Sequence, residues 1–182
     1  MAIFTNGIFP SGGEAGSGGG IIQVVQKIVT QRVTYNGGSF AEIGQLDIGI
    51  TPRNNTNKIL IMNSWSMSSC DGGSLPYPRL RMVRRIGSNS NPFVELEKGD
   101  AGDSRTRCMM GTSPAQASQS ECQPFAFNYL DSPNTTSFCT YMWQAKCYSN
   151  RYLTINGSGT GTDGNVDVAG IEVIMEYEVS SR

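Results

Sequence analysis

The sequence predicts an all-β fold, an antiparallel two-sheet β-sandwich entered through an N-terminal Gly-rich arm. Three observations predict it. From Ile21 onward, runs of β-branched and aromatic residues are broken by turn clusters. No stretch longer than a few residues keeps the 3.6-residue period of an amphipathic helix. Twenty-two glycines and eight prolines beside only 16% charged residues describe a turn-rich chain, whereas disordered chains combine low hydrophobicity with high charge. The 182 residues suit one domain with an arm, divided as 1–20 for arm and tether and 21–182 for the sandwich. A hydrophobic share of 38% fits a thin core and leaves a face for a partner subunit to complete.

The arm carries two small apolar clusters, Ile3-Phe4 and Ile8-Phe9, followed by a Gly/Ser tether. Two readings stand: a disordered terminus, or an arm that docks on a neighbour, since Ile-Phe pairs prefer burial. Ten candidate strands follow, at 21–35, 43–51, 58–67, 79–86, 93–97, 105–110, 125–130, 137–148, 151–156 and 170–179. Asn36-Gly37-Gly38, Thr51-Pro52-Arg53-Asn54-Asn55, Asp71-Gly72-Gly73, Asn156-Gly157 and Asp163-Gly164 supply the turns between them. The longer polar segments 87–92, 111–124 and 157–169 are expected as surface loops.

In 170–179, Ile171, Val173, Met175, Tyr177 and Val179 point one way, and Glu172, Ile174, Glu176 and Glu178 the other, which is expected to be wet. In 137–148 both faces carry apolar bulk, so that strand is expected to be covered on both sides, the second cover being another subunit. This makes Phe138, Tyr141 and Trp143 the candidate subunit interface, and a homotrimer or another closed symmetric oligomer the expected state.

The composition narrows the chemistry. Fourteen basic and 15 acidic side chains leave a formal charge of −1, so no global field holds a nucleic acid or an anionic membrane. The one basic concentration, Arg79, Arg81, Arg84 and Arg85, reads as a short stripe that meets an acidic neighbour or water. The chain has no histidine, which excludes Ser-His-Asp and Cys-His catalysis and histidine-ligated metals. With no nucleophile elbow either, a non-enzyme without cofactor is expected. The five cysteines form no C-x-x-C pair and read as free thiols. Met1 to Pro10 lack the features of a signal peptide and no apolar run is long enough to span a membrane, so a protein made in a cytoplasm is expected, with the sequons at Asn54, Asn134 and Asn156 serving as plain turns. Asp100, Asp103, Arg105 and Arg107 read as a structural ion network rather than an acid/base site. Asp163-Gly164-Asn165-Val166-Asp167 opens like a calcium loop but lacks the glycine and glutamate of an EF-hand, leaving adventitious calcium as its one metal reading.

Four short motifs then follow in a recognisable order: Gly20-Ile21-Ile22-Gln23-Val24-Val25-Gln26; Ile50-Thr51-Pro52 with Asn57-Lys58-Ile59-Leu60-Ile61; Gly99-Asp100 with Ser104-Arg105-Thr106-Arg107; and Leu130-Asp131-Ser132-Pro133 with Thr135-Thr136-Ser137 and Tyr141. Over residues 20–180 the chain resembles a β-sandwich domain of virion structural proteins of tailed phages, especially marine and cyanobacterial ones. The resemblance implies a jelly-roll-like, often trimeric, non-catalytic module on the virion surface, made in the host cytoplasm. Capsid decoration, as a cement or knob protein on the major capsid protein, is one expectation; a receptor-binding tail-fibre or tail-tip domain on the host surface is the alternative. The absence of a repetitive shaft favours decoration. Ile3, Phe4, Ile8 and Phe9 are expected to form the attachment arm.

Overall fold

The computed structural model describes residues 20–70, 78–96, 98–100, 106–111, 123–147, 152–157 and 170–177. Among them are eleven strands and no helix: β1 (Ile21–Val29), β2 (Val33–Asn36), β3 (Ala41–Ile50), β4 (Lys58–Cys70), β5 (Arg79–Ile86), β6 (Val94–Glu95), β7 (Met110–Gly111), β8 (Gln123–Asp131), β9 (Cys139–Lys146), β10 (Tyr152–Ile155) and β11 (Gly170–Tyr177). All pair antiparallel, in a six-stranded sheet and a five-stranded sheet.

The 13-residue β4 organises the larger sheet. One edge pairs with β11 over Lys58–Ser64 and then with β10 over Met67–Cys70, while the other pairs with β8 over Ile59–Met67. The same relay explains why the run expected over 21–35 divides. Val29 ends its ladder opposite Gly170 of β11, and Val33 begins a new one opposite Ile155 of β10. In the smaller sheet β9 lies between β3 and β5, and β6 and β7 pair with β5.

Counting β1/β2, β6/β7 and β10/β11 each as one interrupted strand leaves eight strands, ordered 1-8-3-6 in one sheet and 2-7-4-5 in the other. This is the arrangement of a jelly roll, two sheets wrapped by Greek-key connections. The sandwich expected from period-two patterning is therefore what forms. The segments expected as strands over 93–97 and 105–110 contribute only the short β6 and β7. In β3 the register jumps: Glu42 pairs with Gln144, yet Asp47 pairs with Met142. The extra residues form a bulge in which Gln45 takes φ 70° and Ile43 and Leu46 both turn into the core.

The core lies between the sheets. Ile59, Ile61, Trp65 and Met67 of β4 and Phe125 of β8 face Leu80 and Met82 of β5, Ile48 and Ile50 of β3, and Tyr141 and Trp143 of β9. At its centre Trp143 meets Trp65 at 5.7 Å, Phe125 at 5.9 Å and Phe127 at 5.2 Å between ring centroids, the two phenylalanines edge-on. Such tilted and edge-to-face pairs add to the stabilisation from burying area. Among the five cysteines the structure describes Cys108, Cys139 and Cys147 as free thiols, the last two fully buried.

Candidate interaction surface

Because side chains alternate along a strand, the inward residues of the six-stranded sheet fix which ones face outward. Val25, Val29, Ile59, Ile61, Trp65, Phe125 and Phe127 pack into the core. Their neighbours Val24, Gln26 and Ile28 on β1, Leu60, Met62, Ser64 and Ser66 on β4, and Pro124, Ala126, Asn128 and Leu130 on β8 therefore form the outer face. Not one of these is charged. Leu130 is 56% and Ile28 49% exposed. Between β1 and β4, Ile171, Val173 and Met175 of β11 stand in register opposite Ser64, Met62 and Leu60. Lys58, whose Nζ donates to Ser132 Oγ, bounds the face at one end.

The outer face of the five-stranded sheet is of the opposite kind. Arg81 donates from Nε to Gln144 Oε1 at 2.8 Å, pairs with Glu95, and lays its guanidinium 4.2 Å over the Phe40 ring. Arg85 lies 4.6 Å over Phe93 and donates to Asn89 Oδ1 at 2.8 Å. The Lys98 ammonium bonded to Glu95, together with the charges of Arg81 and Arg107, holds the Glu95 carboxyl below its usual range. Phe138 spreads its ring over Gly49, where a methyl group would collide with it.

Two polar centres sit inside the sandwich. At one, Arg84 Nη1 and Tyr141 Oη both donate to Asp131 Oδ2, at 2.5 and 2.7 Å. At the other, the fully buried Glu176 accepts from Gln23 Nε2, the Arg53 amide and Asn57 Nδ2, each at 2.6 Å. The face of β11 expected to be wet thus turns inward at Glu176. Its carboxylate is satisfied by three neutral donors gathered from β1 and the β3–β4 turn.

The residues singled out from sequence are dispersed. Tyr141 and Trp143 are each 1% exposed and belong to the chain's own core, so they offer no surface to a neighbouring subunit; of that trio only Phe138, 49% exposed, lies outside. β9 is indeed covered on both sides, but on the outer side the cover over Gln144 is Arg81 of the same chain. The basic stripe is divided between faces, because Arg84 has the opposite parity to Arg79, Arg81 and Arg85 and turns inward to Asp131. Of the expected ion network, Arg107 donates to the Gly99 carbonyl at 2.7 Å and Asp100 is exposed, while Asp103 and Arg105 lie outside the described residues. Ile3, Phe4, Ile8 and Phe9 and the 163–167 loop also lie outside them. Among the described residues no group of three or more acidic or thiol side chains could hold a metal ion, and no helix is long and apolar enough to cross a membrane. Asn156 is fully buried and donates to the Val29 carbonyl at 3.0 Å, so its sequon is a structural turn.

The sequence carries a signal for this outer face, a strand with apolar bulk on both sides. In KILIMNSWSM the pairs Ile59/Ile61 and Leu60/Met62 make β4 apolar on both faces as well.

Fold and surface together define a jelly-roll sandwich with one charged, self-satisfied outer face and one uncharged one. No protein family matches the chain, and no curated protein matches it. Solved structures that it is similar to include infectious bursal disease virus of the Gx strain, at 8% identity and a TM-score of 0.40 over 87% of this chain and 41% of that one. The VP2 subviral particle of infectious bursal disease virus gives 8% identity and a TM-score of 0.39 over 86% and 40%. The chain spans about two fifths of the length of these structures.

Proposed function

We propose that the chain is a virion structural protein exposed on the particle surface, a capsid decoration or cement protein that stabilises the shell. The observation that carries this reading is the uncharged outer face of the six-stranded sheet, with Ile28 and Leu130 half exposed on its two edge strands. An uncharged face that exposes large apolar side chains at both edges suits a contact surface, because burying it there removes apolar area from water without desolvating a charge. The ordered motifs that resemble phage virion domains, and a jelly roll that serves capsids among other roles, supply the class of partner. In this reading the protein is non-catalytic, forms a closed symmetric oligomer such as a homotrimer, and is made in the host cytoplasm. It engages other virion proteins such as the major capsid protein, and the arm residues Ile3, Phe4, Ile8 and Phe9 attach it by filling apolar pockets on a neighbouring subunit or on the shell. Burying one such side chain contributes about 1.5–3 kcal/mol, so several per subunit offset the entropy of ordering the arm.

Labelling the protein in intact particles tests the proposal. Label spread over the icosahedral shell supports it. Label confined to the tail refutes it and replaces it with a receptor-binding tail-tip domain on the host surface.

A further inference from the structure

We infer that the outer face of the six-stranded sheet receives residues 1–10 of a neighbouring copy, so that exchanged arms hold the oligomer together. This rests on the reading of the chain as an assembling virion protein, and it names the surface that the arm occupies.

The size of the face comes first. Four strands are three spacings of ~4.8 Å across, and seven residues at ~3.3 Å run about 23 Å along, so the face offers roughly 300–400 Å². A stable association buries about 800 Å² per partner. Two copies pressed face to face thus supply about half of what is needed, and further apolar area must come from elsewhere in the chain.

Residues 1–10, Met-Ala-Ile-Phe-Thr-Asn-Gly-Ile-Phe-Pro, supply it. They hold five large apolar side chains, Met1, Ile3, Phe4, Ile8 and Phe9, and no charged one, so docking inside the face that Lys58 bounds desolvates no charged side chain on either partner. The centres of the two Ile-Phe clusters lie five residues apart, about 16 Å along an extended chain, close to the ~14 Å that separates β1 from β8 across the sheet. One cluster can lie near Val24 and Ile28 while the other lies near Leu130.

The point of departure fits as well. The described chain begins at Gly20, exposed and with open space around it, and Ile21, 38% exposed, starts β1 at the rim of this same face. Residues 11–20 are Gly/Ser-rich, with a root-mean-square span of about 17–19 Å, enough to pass from the rim of one copy onto the next. Head-to-tail exchange of this kind closes into a ring, and the tether raises the effective concentration of each arm at its acceptor. Docking on its own sheet would cover the face but leave the copies without an apolar contact.

Sedimentation velocity of the full chain between about 1 and 100 μM, beside deletion of residues 2–12 and beside the double substitution Ile28→Lys/Leu130→Lys on exposed edge-strand positions, provides the test. Circular dichroism checks that each variant folds. The intact chain is expected to be an oligomer, and each variant to weaken association about 100-fold, to monomer at micromolar concentration. A synthetic peptide of residues 1–12 should bind the truncated protein and fail to bind the truncated protein that also carries both lysines. A monomeric intact chain, a truncated chain that stays oligomeric, or a peptide that binds the lysine variant equally well overturns the inference. The two readings fail separately. Protein found on the shell whose oligomer survives truncation refutes the arm contact alone, whereas an arm-dependent oligomer found only on the tail refutes the decoration reading alone.

Discussion

Tyr141 donates its phenol to Asp131 Oδ2 across the sandwich, at 2.7 Å, from β9 of one sheet to the last residue of β8 in the other. Arg84 of β5 reaches the same oxygen at 2.5 Å. Burial, and after it the negative charge of Asp131, pushes the Tyr141 phenol well above its ordinary range, so it remains a donor wherever the fold persists. Side chains from three strands thereby tie the two sheets at one end of the core.

Removing the shared acceptor should cost more than removing one donor. Asp131→Ala leaves a buried guanidinium and a buried hydroxyl without their partner, and about 3–5 kcal/mol of stability should be lost. Tyr141→Phe deletes one bond and keeps the ion pair, at about 1–2 kcal/mol. Urea unfolding of the two variants reads the order directly, and equal losses would contradict the shared-oxygen arrangement.

Trp143→Ala should destabilise the isolated chain by about 3–5 kcal/mol, because it opens a cavity among Trp65, Phe125 and Phe127. An interface tryptophan would instead leave the monomer folded and affect only association. Thermal unfolding at low protein concentration separates the two outcomes.

Glu176→Gln keeps the shape but removes the charge that strengthens three hydrogen bonds, and it turns an amide donor toward groups that themselves donate. A loss of about 1–3 kcal/mol is expected. Glu176→Val should lose more, since the Arg53 amide and Asn57 Nδ2 would lose their acceptor while Gln23 Nε2 kept only the Thr51 carbonyl. Had this side of β11 faced water, both variants would lie within about 0.5 kcal/mol of the parent in urea unfolding.

Alkali should unfold the protein at the cysteines. Burial pushes the Cys139 and Cys147 thiols from an ordinary 9.0 up to about 11. Between those values the unfolded chain has released protons that the fold retains, so the stabilisation is complete below pH 9 and falls away as pH rises to about 11. The urea midpoint should drop between pH 8.5 and 10.5, and the drop should shrink in a Cys139→Ala/Cys147→Ala variant. An unchanged slope in that variant would assign the alkaline loss to other groups.

The strands were legible because period-two alternation and turn residues are local properties, and they placed most of the sandwich. The orientation of a strand was not, since alternation separates two faces without telling which one is inside. At β11 the glutamates suggested a wet face, yet Glu176 is buried because Gln23, the Arg53 amide and Asn57 converge on it from segments far away in sequence. The arginine stripe contained its own correction: Arg84 is even-numbered beside the odd-numbered Arg79, Arg81 and Arg85, and it alone of the four enters the sandwich to pair with Asp131. Trp143 misled for a different reason. A strand apolar on both sides suggests two apolar layers, but Arg81 stretched over Gln144 closes the outer side with a guanidinium and its aliphatic stem.

The bulge in β3 bears on how such a molecule survives at high density. β3 is an edge strand, and an unbroken edge is a template on which further chains can add without limit, the first step toward fibrils. With Gln45 twisted to φ 70° and the hydrogen-bonding rhythm interrupted between Glu42 and Asp47, a straight incoming strand finds no continuous row of donors and acceptors. Copies crowded side by side are thus kept from stitching together backbone to backbone, and their assembly is left to side chains, which can stop at a defined number.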